Sequence, residues 1–304
     1  MINDREPPGL AFGPAGNGDE FYAEGLKSSL QTPGWLAGKG LDAYEYQCGR
    51  GVRVTEASAA ALGKKAAEHG VRLSIHAPYF ISLASRDEQK RLNSLTYIRD
   101  SARAAVWMGA DRIVVHPGGL NGRSRRAAAE LACRTLKEAQ EVLDGEGLAA
   151  VRICPEVMGK INQLGDLEEV LAFCGVDERF LPCVDFGHLN SRTQGSLHSP
   201  EAFAAVLDRI EDRLGGERAR LLHIHFSKIE YTSGGEKQHL TFDDETFGPF
   251  PEHLMPLLAR RGYRGTVICE SAGTQVRDAR LMKQLYEEEL LEPSETDPER
   301  KKGR

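Results

Sequence analysis

Histidines and carboxylates recur at equivalent points of successive short apolar runs: His76 in RLSIHAPY, His116 in RIVVHPG, Glu156 in VRICPEV, Asp185 in LPCVDFGH, His225 in LLHIHFS and Glu270 in GTVICES. His188 follows Asp185 by three residues, and His239 follows a Gly-Gly pair in the stretch HIHFSKIEYTSGGEKQH, residues 223–239. A single histidine at a strand end is usually a hydrogen-bonded structural group. Six aligned side chains of this kind, converging with nothing between them, would repel one another and strand buried polar groups. Divalent cations resolve both problems. Mixed imidazole and carboxylate ligation suits zinc, and also manganese or iron. A carboxylate in the middle of the set, Glu156, is placed to bridge two ions, an arrangement suited to phosphate ester hydrolysis because two ions stabilise the attacking and leaving oxygens.

The elements that must position these residues are strands. β-branched or apolar runs near 10–16, 43–48, 72–79, 112–118, 151–157, 181–188, 221–227 and 265–271 alternate with Ala/Leu-rich amphipathic stretches such as EASAAALGKKAAEHG and RRAAAELACRTLKEAQEVL. Several of these stretches end on glycine, the usual helix stop. Eight β-α alternations predict an α/β chain folded as a single (β/α)8 TIM barrel over residues 1–290, followed by a polar tail over 291–304. The rival, a doubly wound open sheet, would not need eight units, and no G-x-G-x-x-G follows the first strand. In such a barrel the C-terminal rim of the strands carries the chemistry, and that rim is where the six residues fall. His223 lies two residues before His225, so both point to one side of the strand, His223 one layer deeper. His69, His198 and His253 are assigned no role.

The bulk composition is that of an ordinary globular chain: 304 residues, 40% hydrophobic and 28% charged, with a formal net charge of -6. The charge gives no electrostatic hint of nucleic-acid binding and does not exclude it, because local patches matter more than totals. Six scattered cysteines without a CxxC pair argue against a disulfide framework and a Cys-rich zinc site. No window approaches the roughly 18 apolar residues of a membrane helix, and no signal peptide is evident. A monomeric cytoplasmic protein without membrane association is expected.

The segments SIHAPYFISLAS, IVVHPG, PEVMGKINQLG, VDFGHLNSR, HIHFSK and ICES, in this order from about residue 10 to 285, resemble endonuclease IV, the zinc-dependent apurinic/apyrimidinic (AP) endonuclease of the xylose isomerase-like TIM barrel superfamily. H-A-P-Y and D-x-x-H are moderately specific alone; the ordered set is strong. The resemblance implies cleavage of duplex DNA 5′ to an abasic site in base excision repair, by attack of a metal-bound hydroxide on phosphorus, with two or three zinc ions per chain. By matching position, His76 and His116 hold the first ion, with Glu156 bridging to a second completed by Asp185, His225 and Glu270. His188 and His239 belong to a third. Glu156, His116 and Glu270 are the catalytic candidates. Tyr79 matches a tyrosine facing the DNA, and Arg50 and Arg53 in QCGRGVR stand where the family inserts side chains into the duplex; a solvated loop accounts for them equally well. Arg123, Arg125 and Arg126 are better read as residues flanking a helix start than as phosphate contacts.

One departure is pointed. Where the family writes D-x-H in the loop after strand seven, this chain has E-K-Q-H, with Lys237 in the aspartate's place. A protonated lysine cannot ligate a metal. Either Glu236 moves in to replace the aspartate, or the third site is weak and Lys237 binds substrate near the phosphate, or the substrate is not abasic DNA. Two other functions compete: a single-metal sugar isomerase or epimerase of the same superfamily, which would leave His76 and His116 without a use, and a non-catalytic damage-binding relative.

Overall fold

The structure is a computed structural model that describes residues 9–292. The expected tail therefore lies almost wholly outside the described residues. The described residues form ten strands: β1 (Ala11–Pro14), β2 (Ala43–Gln47), β3 (Arg72–His76), β4 (Arg112–Val115), β5 (Arg152–Pro155), β6 (Cys183–Asp185), β7 (His223–Phe226), β8 (Ile229–Thr232), β9 (Gly235–His239) and β10 (Thr266–Cys269). Eight of them fall within the runs read as strands. They form two parallel four-stranded sheets, ordered β2-β3-β4-β5 and β1-β10-β7-β6. Parallel bridges join the sheets at both seams, Ala15 to Glu45 and Glu156 to Cys183, completing the TIM barrel.

Period-two alternation sorts each strand. On β2, Tyr44 and Tyr46 pack outward among the helices, while Ala43 packs inward with Ala11 and Ile268. Val114, Cys154, Leu181 and Cys183 fill another part of the interior. Cys154 thus serves as a small buried apolar group, Cys183 lies beside His223 and His225, and all six cysteines are free. The outer helices start on ordinary caps: the Thr55, Asp87 and Ser124 side chains each accept from a first-turn backbone N–H. The long helix Glu88–Met108 stops at Gly109, which has φ 70°. No described helix is long and apolar enough to cross a membrane.

The unforeseen element is the β8-β9 hairpin, residues 229–239. Its sequence, IEYTSGGEKQH, is too polar and too short to show an alternating apolar face, so it reads as a Gly-Gly loop. Its order comes from tertiary docking. Gly235 bridges Lys160, and Ile161 N–H donates to the Gly234 carbonyl at 3.1 Å. Gly235 has φ 91°, and a Cβ there would stand 2.2 Å from the Gly159 carbonyl oxygen. Gly235→Ala is therefore expected to push the hairpin off the 158–163 loop at a cost of about 1–3 kcal/mol. Thermal unfolding would show the loss as a lower Tm, and an unchanged Tm would contradict this docking.

Candidate metal centre

Asp185 ends β6 and caps the helix that follows it, Phe186–Arg192. Its Oδ1 accepts from His188 N–H at 2.7 Å. D-x-x-H is thus one structural unit: the cap fixes the Asp185 rotamer and brings His188, in the first helical turn, back over the rim. The cap uses only one carboxylate oxygen. Oδ2 is buried without a hydrogen-bond partner.

Glu156, fully buried at the start of the segment after β5, is the hub. Its Oε2 lies 2.9 Å from His116 Nε2 and 3.3 Å from His76 Nε2. Its Oε1 lies 3.2 Å from His225 Nδ1, which is in turn 3.5 Å from Glu270 Oε1. The two oxygens of one carboxylate therefore face two different sets of donors, His76–His116 on one side and Asp185–His225–Glu270 on the other. A third set, His188, Glu236 and His239, adjoins them: His188 Nε2 is 3.4 Å from Glu236 Oε2, and His239 Nε2 is 4.0 Å from Glu236 Oε1. Within each set the candidate ligand atoms lie within 4.8 Å of one another.

The histidines are held by their other nitrogens. His76 Nδ1 sits 2.9 Å from the Ala77 carbonyl, His188 Nδ1 3.0 Å from the Val157 carbonyl, and His239 Nδ1 2.8 Å from Ser227 Oγ. Each contact leaves Nε2 pointing to the centre, as metal-ligating histidines require. Electrostatics follows from this crowding. Burial pushes the Glu156 carboxyl up, but His116, His225 and His188 around it hold it well below the usual carboxylate range. Burial pulls the imidazoles down, yet Glu156 holds His76 up at about 9, and Asp185 with Glu156 holds His188 up at about 10. Metal-free, the centre is thus a knot of imidazolium–carboxylate pairs. Even so, Glu156 Oε2 and Asp185 Oδ2 remain buried without hydrogen bonds. Buried acceptor oxygens without an aligned hydrogen bond, beside imidazole nitrogens, are what a divalent cation satisfies when it takes the place of the imidazole protons, so the donor sets fit metal.

The E-K-Q-H stretch has a structural resolution. Opposite Glu230 and Tyr231 the hairpin register slips: Glu230 faces Gln238 and Tyr231 faces Glu236, leaving Lys237 as an extra residue in a β-bulge. Without the bulge, residues three apart would point to opposite faces; with it, Glu236 and His239 share the face turned to His188. Lys237 and Gln238 are left together on the other side, where both bond to Glu230, at 2.6 and 2.7 Å. Lys237, expected near a phosphate, is placed on the solvent face of the hairpin and not in the centre.

Around the mouth, Tyr79 is exposed and its ring lies 5.6 Å from that of His76 and 5.5 Å from that of His116. With Arg50 and Arg53, both exposed, it lines a cavity of about 400 Å³ beside the centre. Arg125 does not reach the mouth: it pairs with Glu169 at 2.9 Å and donates to the Gln163 carbonyl, tying the 158–163 loop to the helix it begins. Two positioning groups escaped sequence reasoning. Ser227 could not be told from any other strand-end serine. Glu45 left a signal: on β2 it shares the inward face with Ala43, an unusual place for a carboxylate.

The model of the xylose isomerase-like TIM barrel family matches residues 34–290. The chain belongs to that family. An uncharacterized protein of Methanocaldococcus jannaschii, MJ0133, is 33% identical over 92% of this chain and 97% of that protein. A probable endonuclease 4 of Acholeplasma laidlawii is 29% identical over 171 residues, and the match covers 54% of this chain and just over half, 56%, of that relative. Among solved structures, endonuclease IV from Thermus thermophilus superposes with a TM-score of 0.66 at 19% identity, covering 92% of this chain and all of that one. A D-tagatose 3-epimerase-like protein gives 0.64 at 22% identity, covering 82% and 88%. This family member thus shares its barrel with both nucleases and sugar epimerases, and the donor sets at the rim are what could discriminate between them.

Proposed function

We propose that the protein is a metal-dependent phosphodiester hydrolase of the endonuclease IV type, cutting duplex DNA 5′ to abasic sites. The observation that carries this reading is the division of Glu156, one oxygen toward His76 and His116 and the other toward His225. Glu156, Asp185, His225 and Glu270 would be enough for a one-metal sugar epimerase. The His76–His116 pair has no use in such an enzyme. In our reading His76, His116 and Glu156 hold one ion, Glu156, Asp185, His225 and Glu270 a second, and His188, Glu236 and His239 a third. Zinc suits these donors best, with manganese or iron as substitutes. Bound there, the metals supply an activated nucleophile and charge stabilisation for in-line displacement at phosphorus. The chain's own residues supply the rest. The buried carboxylates and imidazoles fix the geometry, Tyr79 stands over the mouth to exclude water, and Arg50 and Arg53 offer charge to a phosphate backbone.

Two assays on zinc-supplemented protein test the function. A duplex with one abasic analogue should be nicked on its 5′ side while the undamaged duplex stays whole. Epimerisation of a ketohexose with no nicking would replace the proposal by the epimerase reading, and tight binding of the abasic duplex without nicking would replace it by a damage-binding role. The third set has its own test. Glu236→Gln should lower the zinc content by one ion per chain, whereas Lys237→Ala should leave it unchanged; the reverse result in elemental analysis would refute the bulge assignment.

A further inference from the structure

Below the rim, β2 buries a carboxylate that no part of the proposed reaction uses. Glu45 has no exposed surface. Its Oε2 accepts from Ser74 Oγ at 3.0 Å and pairs with His223 Nε2 at 2.8 Å. Its Oε1 accepts from Gln47 Nε2 at 3.2 Å and lies 3.1 Å from His225 Nε2, without the alignment of a full hydrogen bond. His225 is thus held between two carboxylate layers, Nε2 down toward Glu45 and Nδ1 up toward Glu156 and Glu270. A neutral imidazole carries one proton, and an ionised carboxylate can only accept. Beside Glu45 that proton belongs on Nε2, which leaves the Nδ1 lone pair facing the rim. Ser74, His223 and Gln47 in turn prevent the Glu45 carboxylate from rotating away.

We propose that Glu45 is a positioning residue that fixes the His225 tautomer, presenting Nδ1 as the ligating nitrogen of the Glu156–Asp185–Glu270 set. The inference rests on reading that set as a metal site. It also accounts for His223, which lies beneath the ligand and holds the carboxylate that orients it. Carboxylates in this position behind a ligating histidine raise metal affinity by about 10–100-fold.

The test uses the full chain loaded with zinc. In ¹H–¹⁵N spectra of the histidine side chains, His225, assigned by its absence in His225→Gln, should be protonated at Nε2 and shifted by metal at Nδ1. Competition against a chromophoric chelator should show Glu45→Gln losing about 10–100-fold in affinity for one ion, with the other ions bound as in wild type. Glu45→Asp should recover part of the loss. Zinc bound through Nε2 of His225, or a Glu45→Gln chain that binds every ion like wild type, would overturn the proposal while leaving the metal site standing. Should Glu45→Gln not fold, the wild-type spectrum alone decides. A wild-type chain that binds no zinc would overturn the metal reading and this proposal together.

Discussion

Glu156→Gln is expected to cut incision of an abasic duplex by at least about 10³-fold, above the loss typical of removing a single charge-stabilising group. The expectation follows from where the two oxygens lie. Each other carboxylate at the rim serves one donor set, so its amide would weaken one ion. Glutamine at 156 would present one neutral oxygen and one amide nitrogen, and the nitrogen cannot ligate on whichever side it faces. Elemental analysis of Glu156→Gln should find at least one ion per chain fewer than in wild type, and a circular dichroism spectrum matching wild type would show that the barrel had formed. Wild-type rates from this variant would mean that the hub of the reaction lies elsewhere.

The second large effect is a pH dependence that metal should abolish. In the metal-free protein His76 and His188 titrate near 9 and 10, above their ordinary value of about 6.5. Groups whose folded pKa is raised stabilise the fold fully below the unfolded pKa and lose that contribution as pH rises through the folded one. Glu156 is displaced the other way, so its contribution is present above about 4.5 and is lost as pH falls well below that. The Tm of metal-free protein should therefore be highest between about pH 4.5 and 6.5 and should fall steadily toward pH 10. Zinc takes the place of the imidazole protons, so zinc-loaded protein should show no alkaline fall over the same range. Calorimetry at pH 7 in buffers of different ionisation enthalpy should record proton release on zinc binding. A flat Tm between pH 6.5 and 10 without metal would contradict the paired arrangement at Glu156.

Much of this was legible in the sequence, for reasons that differ from residue to residue. The barrel strands announce themselves because their apolar runs are bounded by glycine, proline and helical periodicity, and the rim residues are polar exceptions at the ends of those runs. D-x-x-H carries its own geometry, since a helix cap has a fixed spacing. The hairpin was not legible: it has no apolar face, and its order depends on the backbone of the 158–163 loop, far away in sequence. Nor was the bulge at Lys237, because a one-residue slip in register leaves no mark on composition yet reverses which side chains face inward. Read as a regular strand, E-K-Q-H puts Glu236 and His239 on opposite faces and Lys237 beside the histidine. The bulge reverses that reading. Glu45 lay within reach of the alternation on β2, but a lone carboxylate between two tyrosines gives no hint of the two histidines that meet it from β7.

The account turns on three donor sets arranged around one shared carboxylate, and anomalous scattering at the zinc edge from crystals of the zinc-loaded protein tests it directly. Three peaks are predicted: one among His76, His116 and Glu156, one among Glu156, Asp185, His225 and Glu270, and one among His188, Glu236 and His239. A single peak confined to the second set would contradict the account and leave the chain a one-metal member of its family.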